Sequence, residues 1–408
     1  MPRPALILFD DRIGRDWMPF TLTRPAGELM FGAFTLRERA ERVLRLSCLG
    51  HLVADHLADF DEHDAPGGLR LADLPRDRGL VFLSSRAALE WQSPPAFEAD
   101  PALLAIGDDI CGWYAPAGSE FPPPGFLDDP GGNVPAGIPV LPLDGTLIDR
   151  PWRLITRNAD RVARDILALG TAPHGMETPA GVHRLGDAPL VLGADVVVEP
   201  GVVLDLREGP IWIDDGAHIR AFTRVAGPAY IGRGSTLLGG PFSSVSIGPV
   251  CKVHGEIEES IVLGYSNKAH DGFLGHAYVG RWVNLGALTT NSDLKNNYGS
   301  IRMWTPAGEV DTGERKLGCL LGDHVKTAIG TLLNTGTVVG AGANLFGPGA
   351  PSKYVPPFSW GTGDAAKEYA LEKFIETAET VMARRNVALS ARHRAHLEAA
   401  WRLGRSRL

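Results

Sequence analysis

The sequence predicts an α/β domain at the N-terminus, then a left-handed parallel β-helix built from hexapeptide repeats, then a helical tail. Three observations lead there. Short apolar runs alternate with Gly- and Pro-rich breaks in the first third, an aliphatic residue recurs every six positions through much of the second half, and apolar residues return to helical spacing near the C-terminus. A chain of 408 residues exceeds what one compact core usually holds. We therefore divide it into residues 1–150 (α/β), 151–182 (a linking helix), 183–363 (the β-helix) and 364–408 (the tail).

In the first region the apolar runs at residues 5–9, 80–83 and 103–106 predict strands, and a helix is expected between positions 35 and 46. Residues 116–142 are too rich in Pro and Gly for much regular structure. Leu154, Ile155, Ala159, Val162, Ile166 and Leu169 share one helical face, which predicts a helix over residues 152–169 that Gly170 ends.

The six-residue period runs through Leu192, Val198 and Leu204, resumes at Ile213, Ile219, Val225, Ile231 and Leu237, and reappears at Ile247 with Val253, Val279 with Leu285, and Val339 with Leu345. An amphipathic helix cannot produce it, because its apolar face returns after three or four residues. In a β-helix each hexapeptide supplies one short strand and a corner. Three of them close a triangular coil of about 18 residues, whose inward aliphatic side chains stack on the next coil. Corners demand left-handed backbone angles, and Gly186, Gly193, Gly232, Gly248, Gly264, Gly280, Gly286, Gly322 and Gly340 are assigned to them. A β-sandwich with Gly-rich turns would not hold one phase over five successive repeats.

The phase breaks between Asn291 and Gly318, which predicts a loop extruded over a neighbouring surface. From Asp364 the pattern turns helical, with Leu371, Phe374, Ile375, Ala378 and Val381 on one face and Arg384, Arg385, Arg392 and Arg394 on a basic one. A cap over the open end of the solenoid is the preferred reading of that tail, and a patch for anionic ligands the other.

Composition excludes several functions. The chain is 44% hydrophobic and 22% charged with 49 Gly and 31 Pro, which describes a soluble, turn-rich protein. A net charge of -8 gives no general attraction for nucleic acid, so no such partner is expected. Cys48, Cys111, Cys251 and Cys319 form no CxxC pair, which argues against a zinc knuckle or disulfide framework and fits a reducing compartment. The apolar run at residues 5–9 is too short for a signal-peptide core, and no run of about 18 apolar residues could span a bilayer. A cytoplasmic protein without a membrane partner is expected.

Acyl transfer from a thioester to an amine needs a base for the amine proton, donors that hold the substrate and a groove for the pantetheine arm. Residues 266–278 are dense in such groups, with Lys268, His270, Asp271 and His276, and Asn284, Thr289, Thr290, Asn291 and Lys295 follow at once. At this segment stand Lys268-Ala-His270-Asp-Gly-Phe273-Leu-Gly275 and then Asn284-Leu-Gly-Ala-Leu-Thr289. They resemble the acetyltransferase half of the bifunctional glucosamine-1-phosphate acetyltransferase/N-acetylglucosamine-1-phosphate uridylyltransferase family, which carries Lys-Ala, His, an aromatic, Leu-Gly and then Asn-Ile-Gly-Ala-Gly-Thr. The resemblance implies that His270 is the general base, with His276 as the fallback, and that Asn284 fixes the base or the substrate. It further implies that Lys268, Asn291 and Lys295 bind the sugar phosphate. Leu321-Gly-Asp-His-Val-Lys326-Thr327 is similar to a coil of that family near which CoA binds between subunits, which implies acetyl-CoA as co-substrate, Lys326 and Thr327 beside it, and a homotrimer. Two departures stand out: Phe273 replaces the family's Tyr and lacks its hydroxyl, and Asn291-Ser-Asp-Leu replaces Asn-Tyr-Asp-Gly.

The segment from Leu8 to Glu28 resembles the same family more weakly, with Phe20-Thr-Leu-Thr-Arg-Pro25 where sugar nucleotidyltransferases carry Pro-Leu-Thr and Pro-Lys. This implies a nucleotidyltransferase-like α/β domain in which Arg15 and Arg24 face triphosphate and sugar phosphate. The glycines that let backbone amides approach a triphosphate are nearly absent, since Gly14 stands alone among Asp10, Asp11 and Asp16. Phosphate would need Mg²⁺ beside those carboxylates, and Asp108 with Asp109 could hold it, although a Gly-Asp-Asp hairpin turn is the commoner meaning of that pair. Three functions compete: acyl-CoA-dependent transfer to an amino sugar or sugar phosphate, which is preferred; a sugar-1-phosphate nucleotidyltransferase whose β-helix only trimerises the chain; and a non-catalytic nucleotide-sugar-binding scaffold.

Overall fold

The computed structural model describes residues 3–132, 134–169, 178–363 and 366–405. Gly170 and Asp364, assigned as a helix stop and the start of the tail, lie outside them.

The apolar runs of the first region become the centre of a seven-stranded mixed sheet. Its strands are β1 (Ala5–Phe9), β2 (Cys48–Leu52), β3 (Gly68–Leu69), β4 (Leu80–Ser84), β5 (Ala102–Ile106), β6 (Asp109–Ala115) and β7 (Val140–Pro142), in the order β7-β5-β6-β4-β1-β2-β3. β1 lies parallel between β2 and β4 and is buried along its whole length, as a continuous apolar run requires of a strand covered on both faces. The expected helix is α1 (Leu36–Leu44), started by a reciprocal cap between Thr35 and Glu38 and ended at Arg45 in a left-handed conformation. Within residues 116–142 the described chain carries only β7. The linking helix is two helices, α2 (Trp152–Thr156) and α3 (Asn158–Leu169), separated at Arg157. At the break the buried Asn158 accepts from Gly32 N at 3.0 Å and donates to Ser246 Oγ at 3.0 Å, tying the linker to both domains.

Beyond residue 182 the chain winds into a parallel β-solenoid with three faces, whose sheets hold six, nine and ten strands. Ile213 lies in register with Ile231, and Ile219 with Leu237, and all four are fully buried. The six-residue period is therefore the inward column of a prism. The glycine assignment needs correction: Gly186 and Gly264 have positive φ, but Gly193, Gly232, Gly248, Gly280, Gly286, Gly322 and Gly340 do not. These seven are sites of close approach between coils. A Cβ on Gly248 would stand 2.2 Å from the carbonyl oxygen of Leu263, and one on Gly340 would stand 2.3 Å from Pro357 N. The left-handed residue comes two positions after the glycine, at Asp195, Val250, Trp282 and His324, with φ from 55° to 60°.

The excursion after Asn291 forms a hairpin, Arg302–Thr305 against Gly308–Asp311, and folds back on its own chain. Trp304 stacks on Tyr354 with ring centroids 3.7 Å apart. Ile301 and Met303 enter an apolar cluster in which Trp17, Phe20, Phe31 and Phe34 of the first domain meet Tyr230, Tyr278, Leu320 and Val338 of the solenoid. The first domain thus packs on the outer surface of the nine-stranded face, where Tyr278 Oη accepts from Met30 N at 2.7 Å. Of the tail, α4 (Leu371–Ala383) and α5 (Ala391–Arg405) bring Phe374 and Leu397 against Phe358 of the last coil and against Met18 and Leu22. The tail clasps both domains as well as closing the solenoid. Among the described residues no helix is long and apolar enough to cross a membrane.

Candidate functional site

Ligands of open α/β sheets bind beyond the carboxyl ends of parallel strands. There β1 runs into Asp10-Asp11 and β4 into Ser85-Arg86, and all four side chains are buried. Asp11 accepts from Gly14 N at 2.8 Å and pairs with Arg86 at 2.8 Å, so the loop is braced by its own charges. Arg24, expected on a phosphate, is 1% exposed and pairs with Asp323 at 2.8 Å and Glu62 at 2.9 Å. Burial opposes its charge, but these two carboxylates overcome that and hold its pKa above the ordinary arginine value. Arg281 joins the same network through Glu62 and Asp64. Arg24 is therefore a fastener between the domains, with its guanidinium already engaged on both sides. Arg15 pairs with Asp128 at the surface. Asp108 is exposed on the turn between β5 and β6, and no group of three or more His, Cys, Asp or Glu placed to hold a metal occurs among the described residues.

Four of the residues expected at the sugar or CoA have their polar groups engaged by the protein's own atoms. Lys268 stands in register with the inward Val253, and its Nζ donates to the carbonyls of His254 and His270 at 2.9 Å each. Burial brings its pKa down to about 8. The buried Asn291 uses its amide to pin Gly275, donating to its carbonyl and accepting from its N–H, both at 2.9 Å. Lys295 Nζ donates to the Ser300 carbonyl. Thr327 is buried against Thr289, with the two hydroxyl oxygens 2.7 Å apart. His276 has Asp293 at 2.8 Å on Nδ1 and Glu259 at 3.1 Å on Nε2, which leaves it no nitrogen to receive a substrate proton.

His270 is exposed at the corner that follows the strand Asn267–Lys268. On the same edge His254 Nδ1 lies 3.3 Å from the carboxylate of Asp271. Leu288 N donates to the Asp271 carbonyl at 2.9 Å, and Gly330 N to the Ala287 carbonyl at 2.8 Å. The following coils therefore carry the exposed Leu288 and Ile329 along the edge that holds His270.

Asn284 and Lys326, which lie 42 positions apart in the chain, are neighbours on the ten-stranded face. Lys252, Asn267, Asn284, Lys326 and Asn344 occupy successive rungs there, and Asn267 Nδ2 donates to Asn284 Oδ1 at 2.9 Å. The end of α4 brings Arg384 and Arg385 over this ladder and encloses a cavity of about 380 Å³. Lys326 Nζ donates to the carbonyls of Trp282 and His324, and burial brings its pKa down to about 7. Lys252 and Asn267 escaped the sequence reading because coils of unequal length hide the register. Arg384 and Arg385 were visible as a basic face, but not what they face. A larger cavity of about 830 Å³ lies among the Pro-rich loops beside Trp113 and Phe121, with Asp100 and Glu120 as its only ionisable lining groups.

A relative from Sulfurisphaera tokodaii, a bifunctional sugar-1-phosphate nucleotidylyltransferase/acetyltransferase, is 30% identical over 95 residues, 23% of each chain. The bifunctional protein GlmU of a Geobacillus species is 28% identical over 170 residues, 36% of each chain. The matched parts span less than two fifths of either relative. An Arabidopsis UDP-N-acetylglucosamine acyltransferase aligns with 52% of this chain and 77% of its own at 13% identity, with a TM-score of 0.25. Residues 6–171 match the family described as sugar nucleotidyl transferase, and this stretch is joined here to a parallel β-solenoid in a chain similar, over part of its length, to the bifunctional nucleotidylyltransferase/acetyltransferases.

Proposed function

We propose that the solenoid transfers an acyl group, acetyl in the first instance, from acyl-CoA to the amine of an amino sugar or its 1-phosphate. His270 takes the amine proton as the nitrogen attacks the thioester carbonyl; the C–N bond forms, the C–S bond breaks, and CoA leaves as the thiol. Asn284 orients the acceptor. The observation that carries this reading is the exposure of His270 on an edge whose next coils present unpaired apolar side chains, Leu288 and Ile329. Such an edge suits a second copy of the chain, and the active form is a homotrimer with the site between prisms. The four unpaired thiols suit a cytoplasmic protein.

Nucleotidyl transfer by the first domain is the second reading, favoured by the family match over residues 6–171. The burial of Arg24 and the closed acidic loop weigh against it. His270→Ala is expected to lower acyl transfer to an amino sugar 1-phosphate by about 10²-fold or more while light scattering still reports a trimer. An unaltered rate removes His270 from the mechanism. UTP- or dTTP-dependent pyrophosphate release without any acetyl-CoA turnover would favour the second reading instead.

A further inference from the structure

In a chain of net charge -8, the cavity between α4 and the ten-stranded face gathers Lys252, Lys326, Arg384 and Arg385 and has no acidic residue in its lining. Among the described residues none of these four side chains is in an ion pair, and the protein does not neutralise them itself. Two of these side chains also keep unused donors. Arg385 Nε is buried without a hydrogen-bond partner. Lys326 Nζ spends two of its three donors on the carbonyls of Trp282 and His324, which fixes the ammonium and leaves the third N–H unused. Holding the charges of Lys252, Arg384 and Arg385 together costs free energy unless a ligand of opposite charge joins them, and such a ligand would favour the charged form of Lys326 as well. The amides of Asn267 and Asn284 line the same wall and supply neutral donors and acceptors of the kind that hydroxyl groups require.

We infer that the C-terminal tail completes a binding site for a phosphate or pyrophosphate group, in which Arg384 and Arg385 of the tail close over an anion seated on Lys252 and Lys326. The guanidinium groups bind phosphate oxygens through paired N–H donors, whereas the lysines act as point charges. The ligand class is a phosphorylated small molecule. For the acyl transfer proposed above its phosphate has two sources, a sugar 1-phosphate or the phosphates of CoA. The identity of the source rests on that reading; the site itself does not.

The test is calorimetric titration of the full chain with inorganic pyrophosphate, in the wild type and in the Arg384→Ala/Arg385→Ala double variant. We expect wild-type binding that weakens as salt rises, and a loss of about 10-fold or more in the double variant, the usual size for hydrogen bonds to charged groups. Arg384→Lys/Arg385→Lys should recover part of the affinity. Arg394→Ala, on the same tail but paired with Glu379 at the surface, should leave it unchanged. A circular dichroism melt of each variant separates lost binding from lost fold. No binding by the wild type, or equal binding by the Ala double variant, overturns the inference. Competition by amino sugar 1-phosphate but not by the unphosphorylated sugar assigns the phosphate to the acceptor. Competition by CoA but not by pantetheine assigns it to the donor, and competition by neither overturns both assignments of the source while the site stands on its pyrophosphate binding. Pyrophosphate binding that depends on both arginines, in a protein that transfers no acyl group, keeps the site and removes the acyltransferase reading. Acyl transfer with KM values unmoved by the double variant does the reverse.

Discussion

His276 shows how a residue type that suggests chemistry can be taken up by structure. Burial alone would lower its pKa, but the carboxylates of Asp293 and Glu259 outweigh that and raise it to about 9. The folded value therefore lies above the roughly 6.5 of an exposed imidazole. The stabilisation is fully present below about pH 6.5 and is lost as pH rises through 9. Urea denaturation across that interval should show wild-type stability falling with pH more steeply than that of Asp293→Asn/Glu259→Gln; parallel profiles would refute the assignment. Lys268 makes the same point by orientation. It stands in a column of aliphatic residues, where its long stem packs inside the prism and its ammonium reaches corner carbonyls. Residue types near the edge were legible in the sequence, but whether each pointed in or out was not, because one position of register reverses every side chain of a strand.

At the scale of the strand and corner, the glycines carry the geometry of stacking. Gly248 faces the Leu263 carbonyl so closely that no side chain fits, and a backbone neighbour cannot rotate away. Gly248→Ala should destabilise by roughly 1–3 kcal/mol, the usual range for forcing an extra carbon into a packed interior. The midpoint of chemical denaturation checks it, and an unchanged midpoint would show that coils can separate locally. The sequence located these glycines correctly but assigned them the wrong task. The period reveals where a corner falls, while left-handed φ and close approach both select glycine and look alike in a string of letters. Helix α1 was expected between positions 35 and 46, and the reciprocal cap of Thr35 and Glu38 that starts it lies within one turn of the chain.

Across the whole molecule, the two domains are joined by an apolar face and by the network of Arg24, Glu62, Asp64, Arg281 and Asp323. Removing one carboxylate from a buried network leaves a guanidinium without its full complement, so Asp323→Ala should cost about 3–5 kcal/mol. Because Arg24 and Arg281 belong to different domains, the same variant should expose the junction to limited proteolysis. A loss below about 1 kcal/mol with unchanged cleavage would show that the apolar contact alone holds the domains.

Local chemistry repeated along the chain determined the prism, the cap of α1 and the basic face of the tail, since each depends on side chains a few positions apart. Tertiary structure alone decided what those parts meet. Arg24 finds Asp323 across 299 positions, and Asn284 meets Lys326 through coils of unequal length. Partners so distant carry no periodic trace, because their contact follows from how two finished surfaces fit.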